Sequence, residues 1–271
     1  TSYDFASIEA GHVVKTELPD GNLAMAQAYV FNLRREKFQD RRVREALAMM
    51  FNFEWSNAQL FYGLYKRVQS FWGNSELEAT GVPTEGEEAV LQALVDQGLL
   101  NADILSDQAV MAPVSGARQL DRKNLRRASY LLDEAGWRVN SDGMREKDGQ
   151  VFTLEVLDSS PAFDRITNPM MENMKVLGID ARLNRVDTAQ ESERTRAYDF
   201  DVTTHSMRMS FEPSSGLEQY FGTKAMDQSS RNLMGLSDPA VDALIEKVVR
   251  AQSKAELNTN IRALDRVLRT K

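Results

Sequence analysis

Cysteine is absent from the chain, and histidine occurs only twice, at His12 and His205. The first absence excludes disulfides, thiolate catalysis and cysteine-based zinc sites; the second leaves too few imidazoles for a histidine-rich metal centre. No cofactor is implied. No apolar run approaches the ~20 residues that a membrane-spanning helix requires, and the polar opening from Thr1 lacks the pattern of a signal peptide. A basic surplus is missing too. Thirty-three Lys and Arg stand against 40 Asp and Glu, a formal charge of -7, without a long basic run, so nucleic acid is not an expected partner. Neither Gly-x-x-x-x-Gly-Lys-Ser/Thr nor Gly-x-Gly-x-x-Gly occurs between a strand and a helix, and no Gly-x-Ser-x-Gly accompanies His205. Nucleotide binding is therefore unsupported, and a hydrolase built on His205 is a remote alternative.

What remains is the composition of an ordinary globular protein: 271 residues, 42% hydrophobic and 27% charged, with 15 Gly and 7 Pro. Residues 24–31 end with strand character, and Asp40 then precedes a helical stripe of Val43, Ala46, Leu47 and Met50. The aromatic-rich stretch from Phe51 to Trp72 reads as largely core, with Gly63 as a helix stop. Residues 81–118 are polar and broken by Pro83 and Pro113, with short helices over Glu87–Leu94 and Ala102–Leu105. Asp121 caps a helix carrying Leu125, Ala128, Leu132 and Ala135, which Gly136 ends. Turn residues from Asn140 to Gly149 make a short β excursion into a strand in which Phe152, Leu154 and Val156 alternate. Pro161 opens a helix striped by Ile166, Met170, Met174 and Leu177; Gly178 stops it; Ile179, Ala181 and Leu183 alternate in the next strand. A helix over Thr188–Ala197, a strand over Phe200–Thr204 and two closing amphipathic helices complete an α/β pattern.

Carboxylates such as Glu54, Asp158, Asp199 and Asp201 are candidates for an acid/base pair, but 40 acidic residues make chance pairs abundant, and surface or capping roles are the favoured reading. Met49, Met50, Met170, Met171 and Met174 have helical spacing and read as core; Met207 and Met209 are free to line an adaptable pocket. The segment His205-Ser-Met-Arg-Met-Ser-Phe-Glu-Pro-Ser-Ser215 follows a strand and mixes donors with apolar side chains. Ligands of open α/β sheets collect at such strand ends, although the same residues also read as an ordinary loop with a satisfied histidine.

A set of ordered motifs adds to this reading: Tyr3-Asp-Phe5 with Val14-Lys-Thr-Glu-Leu-Pro19; Phe31-Asn-Leu-Arg34 with Phe38-Gln-Asp-Arg-Arg-Val-Arg-Glu-Ala-Leu47; Phe51-Asn-Phe-Glu-Trp55 with Leu60-Phe-Tyr-Gly63; Glu134-Ala-Gly-Trp137; Leu177-Gly-Ile179; Tyr198-Asp-Phe-Asp201; and Asp238-Pro-Ala-Val-Asp-Ala-Leu-Ile245. In this order and spacing the chain resembles the extracellular solute-binding proteins of family 5, the dipeptide and oligopeptide type. It is nearest to the branch associated with uptake of peptides and of the peptide-nucleotide antibiotic microcin C.

The resemblance implies an α/β fold with a mixed sheet flanked by helices, one lobe of a two-lobed, cluster C type periplasmic binding protein. It implies a non-enzymatic, monomeric receptor that captures a peptide or peptide-like small molecule and delivers it to an ABC permease in the inner membrane. A non-peptide solute such as an opine, sugar or nucleotide conjugate is the alternative. Residues 1–20 are then a lead-in from the hinge or preceding lobe, and 21–271 the C-terminal lobe, ending before a final return segment. Peptide-binding relatives carry a Trp and an amine-clamping Asp after the strand of the Tyr-Asp-Phe-Asp motif; here His205, Met207, Arg208 and Met209 stand instead, with no acid before Glu212. Arg208 is thus suited to a carboxylate or phosphate, Glu212 to replacing the Asp, and Asn32, Tyr62, Ser214 and Asn232 are further expected contacts.

Overall fold

The computed structural model describes residues 5–271, so Tyr3 and Asp4 of the first motif lie outside the described residues. Along the chain come α1 (Ala6–Glu9), β1 (Ala26–Phe31), α2 (Arg41–Ala48), α3 (Phe53–Leu60), α4 (Glu85–Asp96) and α5 (Arg122–Glu134). A small meander of β2 (Arg138–Val139), β3 (Arg145–Lys147) and β4 (Gln150–Val151) follows. Then β5 (Thr153–Asp158), α6 (Asp164–Val176), β6 (Asp180–Arg185), α7 (Thr188–Arg196) and β7 (Val202–Met207) alternate. The short α8 (Leu217–Phe221) precedes the closing pair α9 (Pro239–Arg250) and α10 (Lys254–Leu268).

Local chemistry sets most helix starts. Asp40 accepts from the Arg42 N–H, Asn52 from Trp55, Asp121 from Lys123 and Asn124, and Asp187 from Gln190. Thr84 and Glu87 cap each other's backbone at α4, and Pro239 follows the Asp238 cap of α9. Each such cap contributes about 1 kcal/mol by satisfying an otherwise orphaned donor. Gly136 and Gly178 take φ values of +89° and +93° just beyond α5 and α6, a backbone that a Cβ disfavours.

The main sheet has the order β1-β7-β5-β6. Strand β5 runs parallel to both β6 and β7, whereas β1 is antiparallel to β7, so the sheet is mixed. Leu154 and Val156 of β5 pack on the side of α2, α5 and α6, with Val43, Leu132, Met170 and Met174. Glu155, pointing the other way, accepts from Arg194 of α7 at 2.8 Å. The helices therefore cover both faces. From β5 the chain crosses to β6 through α6, then returns past β5 to β7 through α7, so the winding reverses beside β5.

A second core gathers α4, α9 and α10 around Leu91, Leu94, Leu244, Ile261 and Leu264, with Trp72 inserted from the loop before α4. These side chains are 0–1% exposed, and each contributes about 1.5–3 kcal/mol by leaving water. Met50, Met170, Met171 and Met174 are buried in the first core, as their helical spacing implies.

Two expectations need correction. Strand β7 does not end at Thr204 but continues to Met207, because Ala26, Gln27 and Ala28 of β1 lie opposite Met207, Ser206 and His205 and prolong the ladder. His205 and Met207 are thus strand residues. The aromatic stretch is also less buried than expected: Trp72 is fully enclosed, but Tyr62 and Tyr65 are 87% and 60% exposed. Helix α3 stops at Leu60, and Tyr62 and Gly63 both take positive φ, which turns the following rings outward.

Candidate functional site

Strands β5, β6 and β7 are mutually aligned, so Asp158, Arg185 and Met207 finish at one edge of the sheet. Strand ends beside such a reversal of winding are the usual ligand position in open α/β sheets. Asp158 sits there at 1% exposure. Its Oδ1 accepts from the Ser160 N–H at 2.7 Å and from Arg185 Nη1 at 3.1 Å, while Arg185 also meets Asp164 at the start of α6. Asp158 Oδ2 is buried without a hydrogen-bond partner among the described residues. Tyr29 stands close by, its hydroxyl 2.7 Å from Thr167 Oγ1. Burial, with the Asp158 charge adding to it, pushes the Tyr29 phenol up to about 12. It stays neutral and serves as a hydrogen-bonding group.

The loop after α3 belongs to the same edge. Arg165, in the first turn of α6, lies over the Phe61 ring at 5.4 Å, and Phe61 meets Tyr65 edge-on at 5.0 Å. Asn57 braces the loop by donating to the Tyr65 carbonyl at 2.8 Å and accepting from its N–H at 3.1 Å. Tyr62, Leu64 and Tyr65 consequently project into solvent on a fixed backbone, 87%, 78% and 60% exposed. Together they form an exposed, largely apolar patch.

Beyond β7, the Ser210 carbonyl accepts from Trp72 Nε1 at 3.3 Å and Pro213 is buried, so the segment is anchored at two points. Between and beside them Arg208, Phe211, Glu212 and Ser214 are exposed. Arg208 forms no ion pair or hydrogen bond among the described residues, which leaves its guanidinium available to an anionic ligand. Met209 is half-buried against the helical core and Met207 is buried within it. His205 is half-buried; its Nε2 has no partner among the described residues, and burial pulls its pKa below the ordinary imidazole value.

The structure gathers His205, Met207, Arg208, Met209, Glu212 and Ser214 on and after one strand end. It assigns Asn32 and Asn232 differently. Asn32 is 1% exposed and donates to the Tyr198 and Phe200 carbonyls at 2.8 and 3.0 Å while accepting from Arg34. Asn232 is wholly buried, bonded to the Gly222 and Leu236 carbonyls and to the Leu236 N–H. Both amides tie loops together, and a ligand would have to displace those bonds. The carboxylates form no acid/base pair: Asp158 meets Arg185, Asp199 meets Arg35, Asp201 meets Lys37, and Glu54 accepts from the Ser115 N–H. Asp158 is legible in the sequence, but Arg185, its partner 27 residues away, is not. The one signal was an acid at the end of an apolar strand.

Among the described residues no group of three or more His, Asp or Glu side chains is placed to hold a metal ion, and no helix is long and apolar enough to cross a membrane. The main sheet is thus mixed and doubly wound. Solved structures agree on the fold. The oligopeptide-binding protein AppA from Bacillus subtilis, in complex with a nonapeptide, aligns over 93% of this chain and 44% of its own with a TM-score of 0.67 at 18% identity. NikZ from Campylobacter jejuni, in complex with Ni(L-His), aligns over 93% of this chain and 45% of its own with a TM-score of 0.64 at 16% identity.

The sequence profile described as bacterial extracellular solute-binding proteins, family 5 middle, matches residues 5–228, and the chain belongs to this family. A probable peptide-binding protein, YejA, from Agrobacterium fabrum is 40% identical over 272 residues, covering 99% of this chain and 44% of the relative. The chain spans 41–44% of the length of the curated relatives it matches.

Proposed function

We propose that the chain is the C-terminal lobe of a two-lobed periplasmic receptor that captures oligopeptides or peptide-like compounds and delivers them to an ABC permease in the inner membrane. The observation that carries this reading is the 40% identity, over essentially the whole chain, to a probable peptide-binding protein more than twice as long. Residues 9–22 are exposed throughout, which suits a lead-in over residues 1–20 that runs from a hinge or preceding lobe to a globular unit beginning at about residue 21. The receptor needs no reaction chemistry: two half-sites close over the ligand, exclude water and present a closed shape to the transporter.

From this lobe, Tyr62 supplies an aromatic surface and Arg208 a guanidinium for a ligand carboxylate. Met209 lends an adaptable apolar wall, and Glu212 and Ser214 add polar contacts. His205, neutral at pH 7, offers a donor or acceptor without a charge. The experiment is calorimetry on the full-length protein with a panel of di- to nonapeptides and non-peptide solutes. Peptide binding that weakens in Arg208→Ala supports the reading. Affinity confined to non-peptide solutes overturns the peptide assignment in favour of the second one, to which the missing Trp and Asp after β7 also point. The lobe alone is expected to bind small peptides weakly, since half of the enclosing surface is absent.

A further inference from the structure

Helix α5 carries its charges against its own dipole. The positive start of a helix favours acids and the negative end favours bases, yet Arg122 and Lys123 occupy the first turn, Arg126 and Arg127 the second, and Asp133 and Glu134 the last. Burial of Ala128, Leu131 and Leu132 on the opposite face leaves all of these charged side chains exposed. Arg118, in the loop just before, is exposed as well, so residues 118–127 hold five cations against a single acid, Asp121. None of the five forms an ion pair among the described residues, whereas the exposed Arg41, Arg42 and Arg250 each do. Asp121 faces the backbone instead: Oδ1 accepts from the Lys123 and Asn124 N–H groups, both at 2.8 Å, and Oδ2 from the Gly116 N–H at 2.9 Å. Asn124 donates to the Val114 carbonyl at 3.0 Å and to Ser115 Oγ at 2.8 Å, which fastens the loop to the helix start and holds Val114, 74% exposed, beside the cations. Capping accounts for Asp121. Helix stability does not account for the cations, which the dipole opposes.

We propose that the start of α5, with Arg118 and Val114 beside it, docks the protein on a membrane surface of anionic phospholipid headgroups. The proposal goes beyond the receptor reading and rests on it only for placing the protein next to the inner membrane. The helix dipole and the five side chains concentrate positive potential in one place on a chain whose formal charge is -7, so an anionic surface repels the rest of the molecule and attracts this end of α5. Each Lys or Arg near such a surface strengthens partitioning about fivefold. Val114 adds an apolar side chain that enters the headgroup layer. The cations are spread over a loop and two helical turns, a diffuse array that suits a fluid layer of headgroups better than a single acidic side chain of a protein partner.

Sedimentation of the full-length protein with vesicles tests this. At low ionic strength the protein is expected to sediment with vesicles of phosphatidylcholine and phosphatidylglycerol, not with phosphatidylcholine alone, and to be released when salt shortens the Debye length to about 3 Å. Arg122→Glu/Arg126→Glu should weaken this partitioning at least about 25-fold. Since acids at a helix start agree with the dipole, the same variant should keep or raise its melting temperature, which separates a lost surface from a lost fold. No sedimentation with the anionic vesicles, equal sedimentation with both kinds, or a variant that partitions like the parent overturns the proposal. So does a variant that keeps its vesicle affinity and loses only its stimulation of the reconstituted permease, which assigns the cations to a protein partner. Calorimetry on the same samples keeps the two readings apart: peptide affinity equal in parent and variant, without vesicle binding, sinks the docking surface and leaves the receptor standing.

Discussion

Asp265 of α10 is fully buried and fastens the loop before α4 to the helical core. Its Oδ1 accepts from the Phe71 N–H at 3.2 Å, and its Oδ2 from the Ala79 N–H at 3.0 Å and from Arg269 Nη1 at 3.2 Å. Asp265→Ala strands two backbone donors and removes a guanidinium's partner. Losing one member of a buried ion pair costs about 3–5 kcal/mol, and each orphaned donor about 1–3 kcal/mol within that sum. One effect works the other way. Burial raises the Asp265 pKa despite the opposing pull of the Ala79 N–H and of Arg269, so the folded protein carries part of the cost of desolvating the charge at neutral pH. The alanine variant is freed of that cost, which places the expected loss near the lower bound, about 3 kcal/mol. Urea denaturation at pH 7, followed by the fluorescence of the fully buried Trp72 beside this anchor, measures it. A loss under about 1 kcal/mol would refute the assignment of Asp265 as the anchor.

Three further outcomes are expected. Gly178→Ala should destabilise by at least about 2 kcal/mol in the same assay, since φ is +93° and the added Cβ would lie 2.8 Å from the Gly143 carbonyl oxygen; a neutral effect would contradict the tight turn. The depressed His205 pKa means that the unfolded chain takes up a proton before the folded one does as pH falls. The histidine's contribution should therefore be constant above pH ~6.5 and decline below it, and His205→Phe should remove that part of the pH dependence; an unchanged profile counts against a desolvated imidazole. Arg208→Ala in the full-length protein should leave the melting temperature unchanged and weaken carboxylate-bearing ligands at least about tenfold. An equal loss for amidated peptides would show that the guanidinium does not read the carboxylate.

The sequence by itself determined which segments are helices and strands and much of what lies inside. Capping residues such as Asp40, Asp121 and Asp238 act on donors two or three positions away, and the stripes of α5, α9 and α10 repeat every three or four residues, so both signals are local. The family motifs were legible for the same reason, as ordered words in one dimension. What only the tertiary structure decided was the use of residues whose partners are distant in the chain. Asn32 reads as a candidate ligand contact until Tyr198 and Phe200, 166 and 168 positions on, absorb its amide. The length of β7 depended on β1 lying opposite it, and the exposure of Tyr62 on two positive-φ residues that no periodicity announces. Asp158 became a paired, half-satisfied carboxylate only because β6 pairs with β5 and sets Arg185 directly opposite it. Burial and pairing are properties of neighbours in space, and a linear pattern reports them only where those neighbours are also near in sequence.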